Sequence, residues 1–532
     1  HRPKTQQLSR FGCSMQVMDA PNAHVARRRS GWAGVAGVAV ALGLTELFAG
    51  LSTSVPSAIS AIGSFIIDIS PSWLKNFAIS AFGTADKAVL AIGIVGVALL
   101  IGWYVGKASA FRPFPIVVAF GVAAAAGIAA QLGEVNVEPA LAIASTLIAV
   151  GSGLGAWYGI VQWTRPQERA EADDDVPDMG RRRLMVALAG AATVSVIAVG
   201  IGRSRLRSRA ESQRAALTLP EPIERQLDPT ADNDFGLALL SPIVISNATF
   251  YRIDTALVVP TIDPDEWTLK VTGLVDREIE LSYQDLNEMP LVERYVTLSC
   301  VSNEVGDRLV GNALWTGVML RDILDMAGVR DEAEQVVGRS VDGFTAGFPT
   351  DVAFDGRNAM VAIGMNREVL PANHGFPARL VVPGLYGYVS ATKWLSEIEL
   401  TRWDDFDGYW IPRGWSKEGP IKTQSRIDRP HDRDTVEAGS YALAGVAWAP
   451  TLGVQRVEVQ VDEGPWLEAE LSTPLSEDSW VQWKVDVDLA PGDHTARVRA
   501  TDGTGFTQSP DPVPPAPDGA EGWHEIRFSA GS

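Results

Sequence analysis

At 532 residues the chain is long enough for several domains, and its 46% apolar residues supply material for large cores. Charge is divided unevenly: residues 1–209 hold 19 Lys+Arg and 12 Asp+Glu, a net of +7, and residues 210–532 hold 26 and 52, a net of −26. So acidic a second part is a poor partner for nucleic acid, and two distant cysteines, Cys13 and Cys300, make neither a disulfide framework nor a zinc cluster.

The chain begins at His1, and Met18 reads as a plausible start, so residues 1–17 carry no structural weight and residues 1–30 read as a cytoplasmic tail. Residues 31–163 then contain nine charged side chains: Glu46, Asp68, Lys75, Asp86, Lys87, Lys107, Arg112, Glu134 and Glu138. Four apolar runs lie among them, Gly31–Leu51, Ala88–Val105, Phe114–Leu132 and Pro139–Trp163, and a fifth covers Leu184–Gly202. Each is near the ~20 residues of helix that a bilayer requires. Residues 31–202 therefore read as an all-α transmembrane bundle of about five spans, with the interrupted stretch Val55–Phe82 as an interfacial or re-entrant loop. The basic residues of the short loops, Arg27–Arg29, Lys107 with Arg112, and Arg165, Arg169 and Arg181–Arg183, all fall on one side, the cytoplasm. Five crossings then put everything after Gly202 outside. Arg203, Arg205, Arg207 and Arg209 stand on the wrong side of this rule. "MGRRRLMVALAGAATVSVIAVG" resembles a twin-arginine export signal placed internally, and ordinary positive-inside flanking explains the same residues equally well. No His lies within a span, the nearest being His24, and there is no CxxCH, so no haem motif is found. An electron path through the membrane part would use a quinone or a partner such as a cytochrome.

Residues 203–235 are polar, with Pro220, Pro222 and Pro229, and read as a tether. From about 236 to 425, short β-like runs such as "WTLKVTGLV" and "SEIELTRW" alternate with helical pieces such as "GVMLRDILDMAGV", the pattern of an α+β body. From about 426 to 532 the alternation becomes all-β, and a small sandwich fits.

Cys300 ends the run "YVTLSC". By itself a lone cysteine is a small buried hydrophobe, a nucleophile paired with a base such as His374, or a metal ligand. The surroundings add a second observation. "TLSCVSNE…GNALWTGVMLRDIL" is followed by "LPANHGFPARLVVPGLYGYVSATKWLSEIEL" (Leu370–Leu400). These two motifs, in this order and ahead of the β-rich tail, resemble the sulfite oxidase family of molybdopterin-dependent oxidoreductases. The resemblance covers about residues 235–532. It implies that Cys300 binds molybdenum through its thiolate, a soft ligand suited to a metal that cycles through oxo transfer. It implies that Arg379, Ser390 and Lys393 supply the cationic and donor groups that hold the cofactor's phosphate, that His374 donates to the pterin or phosphate, and that Tyr251 and Arg252 of "TFYRIDT" face the pterin. It also makes the tail an immunoglobulin-like dimerisation domain and the chain a homodimer.

Three departures separate this sequence from sulfite oxidases. Their early loop reads Arg-Asn-His, where this chain has Arg252-Ile253-Asp254. Their metal cysteine is followed by Ala-Gly-Asn-Arg-Arg, where this chain has Val301-Ser302-Asn303-Glu304-Val305. "DGFTAGF" (Asp342–Phe348) offers no tyrosine where the family has one in its active site. The expectation is a multi-pass, membrane-anchored, extracytoplasmic enzyme performing two-electron oxygen-atom transfer on a small sulfur- or nitrogen-containing molecule. A sulfite dehydrogenase proper and a non-catalytic cofactor-binding scaffold are the alternatives.

Overall fold

The computed structural model describes residues 20–52, 55–71, 74, 81, 86–134, 137–164, 179–256 and 258–531. The readings made for residues 1–17, for Lys75 and for Arg165 and Arg169 lie outside these. The chain divides into two compact units, residues 1–205 and 206–532.

In the first unit helices form at all five long apolar runs: Ala20–Leu51, Asp86–Ala108, Phe114–Leu132, Pro139–Trp163 and Met179–Ala216, the last running on beyond the unit. Five stretches within them are long and apolar enough to cross a membrane. Between the first two lies the shorter Ala58–Ile69, whose N-terminus is capped by Ser57 accepting from the Ser60 N–H. Small residues let the long helices approach closely. A methyl group at Gly37 would sit 2.6 Å from the Gly153 carbonyl oxygen, and one at Gly106 2.5 Å from that of Ser30. The Ser30 hydroxyl donates to Gly106 at 2.6 Å and accepts from the Trp157 indole at 3.3 Å. Glu46 is 4% exposed, accepts from the Ser57 hydroxyl at 2.5 Å, and pairs with Arg203 at 3.6 Å. Arg203, which breaks the charge rule of the loops, is thus matched by a buried carboxylate.

The second unit opens with a difference from the sequence reading. The fifth helix continues to Ala216, and residues 217–235 are docked on the body instead of forming a free tether. The Ile223 N–H donates to Leu291 at 2.8 Å, and Glu224 pairs with Val292 as an isolated parallel bridge. Arg294 reaches Glu224 at 2.5 Å, and Arg367 binds Glu293 at 3.2 Å and also Asp228. Polar and proline-rich composition keeps a segment out of a core, yet it leaves backbone and charges free to pair with a sheet edge.

The body contains two mixed α+β layers. One sheet runs Ile279–Ser282, Thr268–Gly273, Leu395–Thr401, Gln335–Ser340, Thr345–Pro349. The other runs Val292–Ser299, Val310–Met319, Met360–Met365, Glu368–Val369, with Arg379–Val381 also on Met360–Met365. Val292–Ser299 and Val310–Met319 are buried almost throughout, so they read as continuous apolar runs without alternation. From Gln424 onward two further sheets share one core of residues such as Leu443, Val457, Trp483, Val498 and Phe528. Their order is Gln424–Arg429, Gly439–Trp448, Val481–Leu489, Glu470–Leu471 in one, and Thr435–Glu437, His524–Gly531, Gly492–Asp502, Val454–Val461, Trp466–Glu468 in the other. Trp448 and Trp480 belong to the core of the body, and the Trp480 indole donates to Ile243 at 2.8 Å, so the C-terminal sheets are packed firmly onto it.

Candidate active site

Cys300 follows the last residue of Val292–Ser299, where the chain leaves the sheet in a tight loop. The Cys300 N–H donates to Leu309 at 2.9 Å, the Asn303 N–H donates back to Cys300 at 3.0 Å, and the Asn303 side chain accepts from the Leu309 N–H at 2.7 Å. The loop is therefore closed at its neck. Burial pushes the Cys300 thiol up, while hydrogen bonds from the Ser302 backbone and hydroxyl pull it down.

The thiol opens into a cavity of about 900 Å³, its open mouth included. Tyr251, Asp254, His374, Arg379 and Lys393 line the same cavity, as do Phe344, Tyr388, Trp410 and Trp415. Segments far apart in sequence meet here because glycine allows it. Gly375 has φ +115°, and a methyl group there would lie 3.0 Å from the Lys393 Cβ and 3.1 Å from that of Arg379, so these two cations stand side by side. Trp394, 1% exposed, is held at φ +50° by its indole, which donates to Ala372 at 2.8 Å. That backbone is strained for a bulky residue, and it sets the direction of the adjacent Lys393.

Arg379 is 5% exposed. It stacks over Trp315 at 4.9 Å and donates to the carbonyls of His374 and Leu380 at 3.2 and 3.3 Å. Among the described residues no carboxylate pairs with it, and burial lowers its pKa to about 10. Lys393 differs: its ammonium meets Asp254 at 2.9 Å, and burial, against that partner, lowers its pKa to about 8. Burial and the Cys300 sulfur raise the Tyr251 phenol, which stays protonated. The His374 pKa falls to about 4, chiefly through burial, and the Asn247 carbonyl 2.7 Å from Nε2 fixes the proton of the neutral ring on that nitrogen. Nδ1 is then an acceptor, and the donor role expected of His374 does not fit this arrangement.

Two expected residues stay outside the cavity. Arg252 is exposed and lines a neighbouring recess with Asn373, pairing with Asp254 at 2.9 Å and reaching Asn373 at 3.5 Å. Ser390 is fully buried and donates its hydroxyl to the carbonyls of Tyr386 and Leu385, at 3.0 and 3.4 Å. That back-bonding closes the short helix Gly387–Ser390 and occupies the hydroxyl proton of Ser390.

Among the described residues no group of three or more His, Cys, Asp or Glu could hold a metal ion. A single thiol beside an unpaired buried guanidinium asks instead for a metal that brings its own ligands and an anion. The oxidoreductase molybdopterin binding domain matches residues 256–410. A 157-residue segment, 30% of this chain, is 36% identical to 76% of the uncharacterized oxidoreductase YuiH of Bacillus subtilis strain 168. The chain belongs to the sulfite oxidase family of molybdopterin oxidoreductases. The mitochondrial sulfite oxidase of Rattus norvegicus is 31% identical over 295 residues, 46% of this chain and 54% of that protein. The Homo sapiens enzyme is 29% identical over 309 residues, 49% of this chain and 56% of that protein. The chain thus spans about half the length of these sulfite oxidases.

Site residues that sequence reasoning missed are Asp254, Asp342, Phe344, Tyr388, Trp410 and Trp415, all in the cavity wall. "GYWIPRGW" carries a weak signal, because two tryptophans in a glycine-rich loop outside any strand need a reason to be there. Asp254 stands out in the sequence only as a departure from the sulfite oxidase pattern, and nothing there points to its partner Lys393, 139 residues away.

Proposed function

We propose that this chain is a membrane-anchored oxidoreductase whose body, residues 236–425, lies outside the cytoplasm and transfers an oxygen atom, with two electrons, to or from a small sulfur- or nitrogen-containing substrate. The observation that carries this is the single cavity shared by the Cys300 thiol and the unpaired Arg379 guanidinium. A buried cation without a counter-ion is costly unless an anion arrives, and the phosphate of a pterin cofactor is such an anion.

The residues present fit a molybdenum–pterin group. When bound, that group supplies the two-electron oxo exchange. The chain does the rest. Cys300 holds the metal, Arg379 and Lys393 hold the phosphate, the protonated Tyr251 hydroxyl donates, and Nδ1 of His374 accepts. Arg252 acts from behind, by fixing Asp254. Phe344, Tyr388, Trp410 and Trp415 add aromatic surface to the wall, and Asp342 adds an acid. Beyond Arg379 and Lys393 the wall has no Arg or Lys among the described residues, which favours an uncharged S-oxide or N-oxide over a sulfite dianion.

Five helices of spanning length and the one-sided basic loops support the membrane anchor and an outward-facing body. The electron partner in this reading is a membrane quinone or a cytochrome, and the run from Arg181 serves as an internal twin-arginine signal. Residues 426–532 form an immunoglobulin-like sandwich through which two chains pair.

Metal and pterin analysis of the full-length protein, with optical titration against S-oxides, N-oxides and sulfite, tests the reading. Molybdenum and pterin in equal amounts, with reduced protein reoxidised by an oxide and oxidised protein inert to sulfite, is the expected result. Protein free of metal and pterin would be a scaffold, and reduction by sulfite would make it a sulfite dehydrogenase.

A further inference from the structure

The loop that carries Cys300 is gripped from the C-terminal sheets. Arg426, 3% exposed, lies in Gln424–Arg429 and points at the loop. Its Nη1 donates to the Asp307 carbonyl at 2.6 Å, its Nη2 to the Ser241 hydroxyl at 3.0 Å, and its Nε to Asp428 at 2.6 Å. Asp428 is buried in turn and accepts from the Ser241 N–H at 3.1 Å. His524 supplies a second grip. Its Nδ1 accepts from the Ile427 N–H at 3.0 Å, which fixes the ring, and the opposite edge, Cδ2 and Nε2, lies against Gly306 so closely that a methyl group there would overlap it. Gly306 has φ +85°, so backbone conformation and space both demand glycine.

The two grips fall on adjacent residues at the tip of the loop, while its neck is closed by the Cys300–Leu309 and Asn303–Leu309 hydrogen bonds. Neck and tip together leave the loop one arrangement. A buried ion pair is a poor source of stability, since a close-packed apolar pair does as well. Its directional donors to a single loop carbonyl do something an apolar pair cannot. We propose that Arg426 and His524 are positioning residues for Cys300: through Asp307 and Gly306 they set the direction from which the sulfur meets the metal. This rests on the reading of Cys300 as metal ligand.

The test uses the holoprotein and two routes to loosen the tip. His524→Asn keeps an acceptor for the Ile427 N–H and deletes the ring edge against Gly306. Arg426→Met combined with Asp428→Asn removes the grip on Asp307 without stranding a buried charge. The readouts are pterin and molybdenum content, thermal midpoint, and the molybdenum(V) EPR spectrum. Both variants are expected to load normally and to give an EPR signal with shifted or broadened g values, and Arg426→Lys, which retains a donor for Asp307, to bring the spectrum back towards wild type. A wild-type spectrum in both loosened variants overturns the proposal. So does a lowered midpoint with less holoprotein but an unaltered signal in the loaded fraction, because that is a structural role alone. Cys300→Ser separates the two levels. If its spectrum is unchanged, the metal assignment falls and takes this inference with it. If its spectrum changes and those of the loosened variants do not, the inference alone falls.

Discussion

Arg379→Met should leave the cofactor-free protein at least as stable as wild type, although it replaces a buried, hydrogen-bonded residue. The guanidinium has a pKa of about 10 against 12.5 when solvated. At pH 7 it is charged in both folded and unfolded chains, so the full shift, about 2.5 units, opposes folding by about 3 kcal/mol. Two carbonyl hydrogen bonds offset about two thirds of this, at about 1 kcal/mol each. Methionine fills similar volume against Trp315 and brings no charge. The net expectation is a gain of about 1 kcal/mol in the cofactor-free protein, where truncating a buried residue ordinarily costs about 2–5. In the loaded protein the sign reverses, because the phosphate loses its buried partner, at a cost of about 2–5 kcal/mol. Urea unfolding followed by tryptophan fluorescence, on full-length protein in detergent made with and without molybdenum, measures both, with pterin content alongside. Cofactor-free Arg379→Met weaker than wild type by more than about 2 kcal/mol, or loaded to wild-type pterin content, would refute the idea that Arg379 is an anion site waiting for its anion.

Cys300→Ser should lose turnover and keep most of its pterin, since in the proposed reading Arg379 and Lys393 would hold the phosphate independently of the metal; pterin fluorescence after denaturation reads this. His524 is held neutral, its pKa lowered to about 4 by burial and by Arg426, below the 6.5 of the unfolded chain, so the stability it confers is complete above pH 6.5 and drains away as pH falls towards 4, by up to about 3 kcal/mol. His374 titrates in the same window, so His524→Asn should flatten about half of the pH dependence of urea unfolding between pH 7 and 4. Changing Arg181, Arg182 and Arg183 together to Lys keeps the loop charge yet should strand the loaded body in the cytoplasm, out of reach of protease added to spheroplasts; normal exposure would show that these arginines act only as charge.

The helices were legible because a long run without charge has few other uses, and the body was legible because two motifs occur in order. What sequence could not convey was pairing at a distance. Residues 217–235 are polar because their side chains meet Arg294 and Arg367 on the body, and composition cannot tell a segment solvated by water from one solvated by a sheet edge. Ser390 sits within the phosphate motif, yet its place in one turn of helix turns the hydroxyl back onto its own backbone. The family resemblance makes His374 a donor, and the Asn247 carbonyl reverses that by deciding which nitrogen holds the proton.

Asp254 joins the electrostatics of the site to its choice of substrate. It pairs with both Lys393 and Arg252, one negative charge against two positive, while among the described residues Arg379 has no carboxylate partner. A phosphate carrying about −1.5 to −2 then uses up what positive charge the cavity has. Asp342, on the same wall, adds a negative charge. A sulfite dianion entering such a cavity finds no cation left over among the described residues, and each like charge it approaches to ~4 Å opposes it by about 4 kcal/mol for every unit of its own charge at the effective dielectric of a protein surface. Even a single unit of that repulsion is worth almost a thousandfold in occupancy, and an uncharged oxide meets none of it while still gaining from the aromatic wall. The same acidic substitution that breaks the sulfite oxidase pattern at position 254 thus has two effects, fixing Lys393 for the cofactor and making the cavity hostile to anions. Asp254→Asn would separate them: Lys393 would lose its partner and the cofactor would be held less firmly, while anions would bind the cavity more readily than before.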